Sequence, residues 1–208
     1  WLNENTIVYN KINNNELGCV VNNIKDDDKK FLDRPIYSLS KNNEFLSINF
    51  SYLWKVWKNY GYYLDEKINF KYAEDFYNHE GIFLCDFNNN SRLILSIADA
   101  IKICGLQNTN KKYFLAHPTF SPDGCKFLSL LRYFSDDNNL ISYLIYFDCS
   151  NNNHKILAKE RVSHFEWLDN NTIVVWARKL PTGIQNIRSN FIVEKYLISN
   201  LKKLVKKL

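Results

Sequence analysis

Two histidines, three arginines and a group of aromatics are the residues of this chain best suited to chemistry. His117 and His164 stand 47 positions apart, each three residues before a large aromatic, Phe120 and Trp167. An imidazole can ligate a divalent metal, contact a substrate or hydrogen-bond a neighbouring strand, and the spacing leaves these readings open. Arg34, Arg132 and Arg178 offer planar forks that grip carboxylates or phosphates bidentately. Trp54, Trp57 and Tyr60, followed by Tyr62 and Tyr63, offer flat faces for sugar rings or for hydrophobic cover. The set suits a pocket for an anionic oligosaccharide or nucleotide-sugar. Its candidate binding residues are His117, His164, Arg34, Arg132, Arg178, Trp54, Trp57 and Tyr60, with His117 and His164 as candidate metal ligands. P-loop, dinucleotide, nucleophile-elbow and His-Glu-x-x-His motifs are missing. Asp65, Glu66, Glu74 and Asp75 have acid–base chemistry, although carboxylates in a loop are ordinarily solvated. His79 and His154 fall in turns and receive no role.

The elements that must position these groups follow from a repeat. Ala116 to Gly124 reads as strand and tight turn, ending in Ser121-Pro122-Asp123-Gly124 and followed by the apolar run Phe127 to Leu131. His164-Phe165-Glu166-Trp167-Leu168-Asp169-Asn170-Asn171 repeats its order of histidine, aromatic and turn. Trp1 to Tyr9 in turn nearly duplicates Trp167 to Val175. Turns running from an acid through asparagines to a basic residue recur at Asp86 to Arg92 and Asp148 to Lys155. A period of roughly 40 to 50 residues matches one blade of a β-propeller. The expected fold is therefore all-β: three to four blades, each a four-stranded antiparallel meander, of a propeller of six or seven. The expected segment covers 1–190, with blades near 1–33, 34–97, 114–160 and 161–193 and an insertion at 51–80. Ala98 to Lys112 reads as a short helical connection. In a meander the starts of first strands and the connections between second and third strands share one face. That places both histidines and the insertion together, with the three arginines pointing to the same rim.

Residues 191–208 read as a basic amphipathic tail, with Leu197, Ile198, Leu201, Leu204, Val205 and Leu208 on one helical face. It packs on the propeller or a partner, lies on an acidic membrane, or begins as a strand from Phe191; packing is the favoured reading. The tail carries +4 of the net charge of +5, so the body is nearly neutral and a nucleic-acid surface is not indicated. Five cysteines without Cys-x-x-Cys spacing suit a reducing cytosol, and Cys19, Cys85, Cys125 and Cys149 fall in or beside strands. Without methionine, and opening inside a repeat, the chain is expected to be part of a longer protein, whose open blade edges need further blades or self-association.

The Ser-Pro-Asp-Gly turn preceded by His117 resembles the repeat of TolB-type and oligogalacturonate-lyase-like bacterial propellers. Asp33-Arg34-Pro35-Ile36-Tyr37 through Asn49-Phe50, Tyr60-Gly61-Tyr62, and Val162-Ser163-His164 with Trp167-Leu168 are similar to propellers of that group found beside surface-polysaccharide genes. The resemblance implies an oligosaccharide-binding propeller or interaction platform in cell-surface polysaccharide metabolism, with a saccharide or protein as partner. The alternative it implies is a lyase or glycosyl-transfer enzyme with a histidine-held metal near the propeller axis. Only His117 and His164 stand where such ligands carry over.

Overall fold

The computed structural model describes residues 1–58, 60–64, 76–107 and 111–177, and the backbone of 191–193. Arg178, the carboxylates Asp65, Glu66, Glu74 and Asp75, and the tail from 194 onward lie outside the described residues.

Strands dominate, and they form four separate sheets in chain order. The first holds β1 (Thr6–Asn13), β2 (Glu16–Asn23) and β3 (Asp28–Leu32), joined antiparallel. The second is a four-stranded antiparallel meander of β4 (Ser38–Leu39), β5 (Glu44–Ser47), β6 (Gly81–Asp86) and β7 (Ser91–Ser96). The third repeats that order with β8 (Phe114–Phe120), β9 (Lys126–Phe134), β10 (Leu140–Asp148) and β11 (His154–Ala158). The fourth pairs β12 (Val162–Trp167) with β13 (Ile173–Ala177) antiparallel. Its third strand, β14 (Phe191–Val193), runs parallel to β13. Phe191 to Val193, the start of the expected tail, is therefore strand. Its direction departs from the antiparallel meanders of the second and third sheets.

The sheets stack through three apolar cores, one at each junction. Leu32 and Cys19 of the first sheet meet Phe45, Phe83 and Cys85 of the second. Leu46, Ile82 and Leu84 of the second meet Phe127, Leu131, Ile145 and Phe147 of the third. Leu128, Leu130 and Leu144 of the third meet Val162, Trp167 and Ile173 of the fourth. Successive side chains of a strand point to opposite faces, so β9 sends Phe127 and Leu131 one way and Leu128 and Leu130 the other. A strand covered on both faces needs a continuous apolar run, which is why Phe127 to Leu131 lacks polar alternation apart from the buried Ser129.

The Ser-Pro-Asp-Gly corner forms as its residues dictate. Gly124 N–H donates to the Ser121 carbonyl at 2.8 Å, and Asp123 Oδ1 accepts from the Ser121 hydroxyl and from Cys125 N–H. Gly124 closes the turn at φ +72°, where a side chain would also press on Ser40 and Asn42.

The apolar run from Phe45 to Phe50 is strand only as far as Ser47, and a helix begins at its last residue. Asn49 caps α1 (Phe50–Val56) by accepting from Tyr52 N–H at 2.9 Å. The insertion continues through Trp57 to Leu64 and returns by α2 (Phe76–His79). The connection after β7 contains α3 (Ile97–Ile103), capped by Ser96. Among the described residues, no helix is long and apolar enough to cross a membrane.

Candidate functional site

A bulge in β8 presents the first histidine. The register to β9 shifts between Ala116 and Thr119, and His117 sits at φ +55°, a left-handed conformation that a side chain rarely adopts outside turns. Residues held in such conformations cluster at functional sites, where surrounding structure over-determines them. Here the bulge turns the imidazole away from the sheet ladder and towards the segment around Tyr37. The Tyr37 hydroxyl lies 2.6 Å from His117 Nδ1.

The cavity in front of His117 encloses about 380 Å³ and draws on all three later sheets. Tyr37 comes from the segment before β4, and Trp57 and Tyr60 from the turn after α1. His117 and Thr119 come from β8, Arg132 from β9, Leu140 from β10, and Ser163, His164 and Phe165 from β12. Trp57 and Tyr60 stack face to face, ring centroids 3.9 Å apart and 7° from parallel, and the Tyr60 ring meets His117 edge-on at 5.4 Å. The two histidines thus share one cavity, as their repeat positions predict. They are held differently: His117 is half-buried against tyrosine, while His164 is exposed and bonds the neighbouring Ser163 hydroxyl at 2.8 Å.

Arg132 is the residue whose placement differs most from expectation. It is no rim charge: β9 continues past Leu131 to Phe134, pairing Arg132 with Ser142, and leaves the side chain 3% exposed. Nε donates to Ser142 Oγ at 3.0 Å, a terminal nitrogen reaches the Ser163 carbonyl at 3.4 Å, and the guanidinium carbon lies 5.0 Å from the Trp57 ring centre. No carboxylate pairs with it among the described residues, and none of the described cavity lining is acidic. Burial lowers its pKa to about 10 against the opposing pull of Tyr60 and Tyr37.

Arg34 and Trp54 do not join this cavity. Arg34 lies with its guanidinium carbon 3.5 Å above the Phe83 ring, in a separate depression lined also by Glu16, Asp33 and Asn49. Trp54 packs edge-on against Tyr63 at 5.9 Å. Tyr37, Thr119, Ser163 and Phe165 line the cavity although none is among the candidate binding residues read from the sequence. Tyr37 had one available signal, since it neighbours Ile36, the residue that replaces the histidine in the preceding repeat.

The electrostatics follow from this geometry. Burial, then the positive field of Arg132 and of His164, pushes His117 down to about 4. Burial pushes the Tyr37 phenol up to about 12. Both groups are therefore neutral near pH 7, and Arg132 carries the buried charge. His117 binds its proton more weakly in the folded chain than at its ordinary value of 6.5, so its contribution to stability is full above pH 6.5 and is lost as the pH falls towards 4. The expected result is a His117 ring resonance that stays in its neutral form until about pH 4. Against that baseline, His117→Gln flattens the acid limb of stability between pH 6.5 and 4. A ring titrating near its ordinary value would mean the cavity is wet and its field weak.

These groups do not fit a divalent cation. Two imidazoles lack a third His, Cys, Asp or Glu donor among the described residues. A buried guanidinium facing the same space repels a metal by the field that already depresses His117.

No protein-family model matches the chain, and neither a curated protein nor a solved structure matches it.

Proposed function

We propose that the chain is a segment of a β-propeller of the TolB-type and oligogalacturonate-lyase-like group. In this reading its axial cavity binds a carboxylate-bearing oligosaccharide, serving cell-surface polysaccharide metabolism. The two successive four-stranded meanders, stacked face to face in chain order, and the sequence repeat support the fold reading. The observation that carries the binding reading is Arg132, a buried cation with no carboxylate of its own among the described residues, facing a cavity walled by the Trp57–Tyr60 stack. A buried charge is retained at a substantial energetic cost unless something pairs with it. A ligand carboxylate supplies that partner bidentately, while a sugar ring lies against the indole and phenol faces. The hydroxyl oxygens of Tyr37, Thr119 and Ser163 line the same space and supply acceptors for sugar hydroxyls.

The enzymatic alternative has one favouring observation, the 2.6 Å contact between Tyr37 and His117. It favours positioning over proton transfer, because a general base works best with a pKa near the working pH and His117 is held near 4.

Calorimetric titration of the whole chain with acidic and neutral oligosaccharides tests the reading. The acidic series binds and the neutral series does not, the affinity falls as salt rises, and His164→Ala weakens binding less than tenfold, as suits an exposed contact. Equal affinity for neutral and acidic sugars, or no binding of either, overturns it.

A further inference from the structure

The corner of the third sheet carries a second reactive feature, independent of the cavity. In the β9–β10 ladder, Phe127 faces Phe147 and Lys126 faces Asp148. Just past the end of that ladder Cys125 lies across from Cys149, and the Cys149 N–H donates to the Cys125 carbonyl at 2.9 Å. Side chains alternate along each strand. Lys126 points towards the fourth sheet, where its Nζ meets the Asn170 carbonyl at 2.9 Å, while the Phe127 and Phe147 rings stack at 4.9 Å on the opposite side. Continued past the ladder's end, the alternation puts Cys125 and Cys149 on that opposite face, two steps beyond the phenylalanine pair, and Cys149 packs against the core that holds the two rings.

We propose that Cys125 and Cys149 form a reversible cross-strand disulfide by exchange with a low-molecular-weight disulfide. Directly opposed residues of antiparallel chains have Cα atoms about 4.5–5.5 Å apart, inside the roughly 4.4–6.8 Å span of disulfides. The rung is also free to adjust. It lies beyond the last ladder pair, Lys126 with Asp148, and the Cys125 N–H is turned away to Asp123 Oδ1 at 3.0 Å. Gly124 precedes it at φ +72°.

The reaction begins at Cys125, which is exposed, whereas Cys149 is half-buried. The Cys125 thiolate attacks one sulfur of the external disulfide and expels one small thiolate, leaving a mixed disulfide on Cys125. Cys149 then loses its proton and attacks the Cys125 sulfur, expelling the second small thiolate. Two protein thiols are oxidised and one external disulfide is reduced to two thiols. Burial pushes the Cys149 thiol up to about 12, so the second step is the slower and the mixed disulfide accumulates before closure. The bond closes a loop of roughly 25 residues that contains both long strands of the third sheet, which raises the melting temperature by about 5–10 °C.

The experiment treats the whole chain with oxidised glutathione, then follows intact mass, free thiols and the Cys-containing peptides. The expected course is a glutathione adduct at Cys125 that decays to a species lighter than the starting protein by two hydrogens. Its free thiols fall from five to three, and peptides bearing Cys125 and Cys149 are joined until dithiothreitol releases them. Cys149→Ser stops at the adduct and gains no thermal stability; Cys125→Ser reacts at neither position. A wild-type chain that stops at the adduct overturns the proposal, as does a bond joining any other pair. Mass mapping of the wild type decides this without depending on the variants.

Discussion

Arg132→Met is expected to melt about 3–6 °C above the wild-type chain and to lose at least tenfold in affinity for acidic saccharides. The two effects have one cause. Burial lowers the Arg132 pKa from its ordinary, higher value to about 10, and each unit corresponds to about 1.4 kcal/mol between protonation states. The cation is therefore held in the fold at a cost of about 3 kcal/mol. The sign is set by which state holds the proton more tightly. The unfolded chain does, so the cost is present throughout the range below pH 10 and is relieved only as the pH rises through that value. Methionine has a similar reach and packs its sulfur against aromatic rings, so it keeps the contact with Trp57 and removes the charge. The bond to Ser142 Oγ and the longer one to the Ser163 carbonyl are lost, at about 1 kcal/mol for the better of the two. The balance favours the variant by about 1–2 kcal/mol, which in a chain of this size is a few degrees. Binding moves the other way, because a charge-assisted fork contributes about 1.5–3 kcal/mol that methionine cannot supply. Arg132→Lys separates charge from shape: it keeps the cation, loses the bidentate fork, and binds with intermediate affinity. Thermal melts and calorimetry on the three proteins check the pair of effects. A methionine variant that binds acidic saccharides like wild type removes the basis of the proposed function, and one that melts lower shows that the guanidinium has a stabilising partner.

That residue also marks where the sequence stops being legible. A charged side chain following an apolar run is ordinarily solvent-exposed, so Arg132 reads as the rim of a blade. Its burial depends on β10 extending the ladder past it and on Ser163 and Trp57 arriving from other elements. Tyr37 is hidden for the same reason, since its partner His117 lies 80 residues away and no local pattern links them. Local features were legible because local chemistry determines them. The Ser-Pro-Asp-Gly corner, the acid-to-asparagine turns after Asp86 and Asp148, and the apolar run that becomes β9 all appear where the spacing predicts. The repeat also brought His117 and His164 to one cavity. Arg34 failed the same reasoning, because a place at the start of a meander fixes which end of the sheet a side chain is near but not which junction it faces. At Asn49 the helix start was present as a capping residue, yet the aromatic run around it resembles a strand.

The largest loss of stability is expected from Phe127→Ala, at about 4 kcal/mol. Phe127 is fully buried in the core between the second and third sheets and stacks on Phe147 directly across the ladder, centroids 4.9 Å apart and 24° from parallel. Truncating a buried phenylalanine to alanine removes its transfer energy and leaves a cavity, about 3–5 kcal/mol together, and the lost ring pair accounts for about 0.5–1.5 kcal/mol of such differences. The site has little freedom to collapse. Phe127 follows the Ser-Pro-Asp-Gly corner, whose Ser121 and Lys126 backbones are tied by a 2.8 Å bond, and its strand is covered on both faces. Phe127→Leu keeps most of the volume and is expected to lose under about 2 kcal/mol. Urea unfolding checks both: the midpoints fall in that order, with slopes unchanged if the denatured ensembles are alike. The outcome also bears on how the sheets cooperate. If the second and third sheets unfold as one unit, a single transition moves as a whole. If the junction is where the chain parts, Phe127→Ala splits the transition in two, with the half containing β1 to β7 keeping its wild-type midpoint.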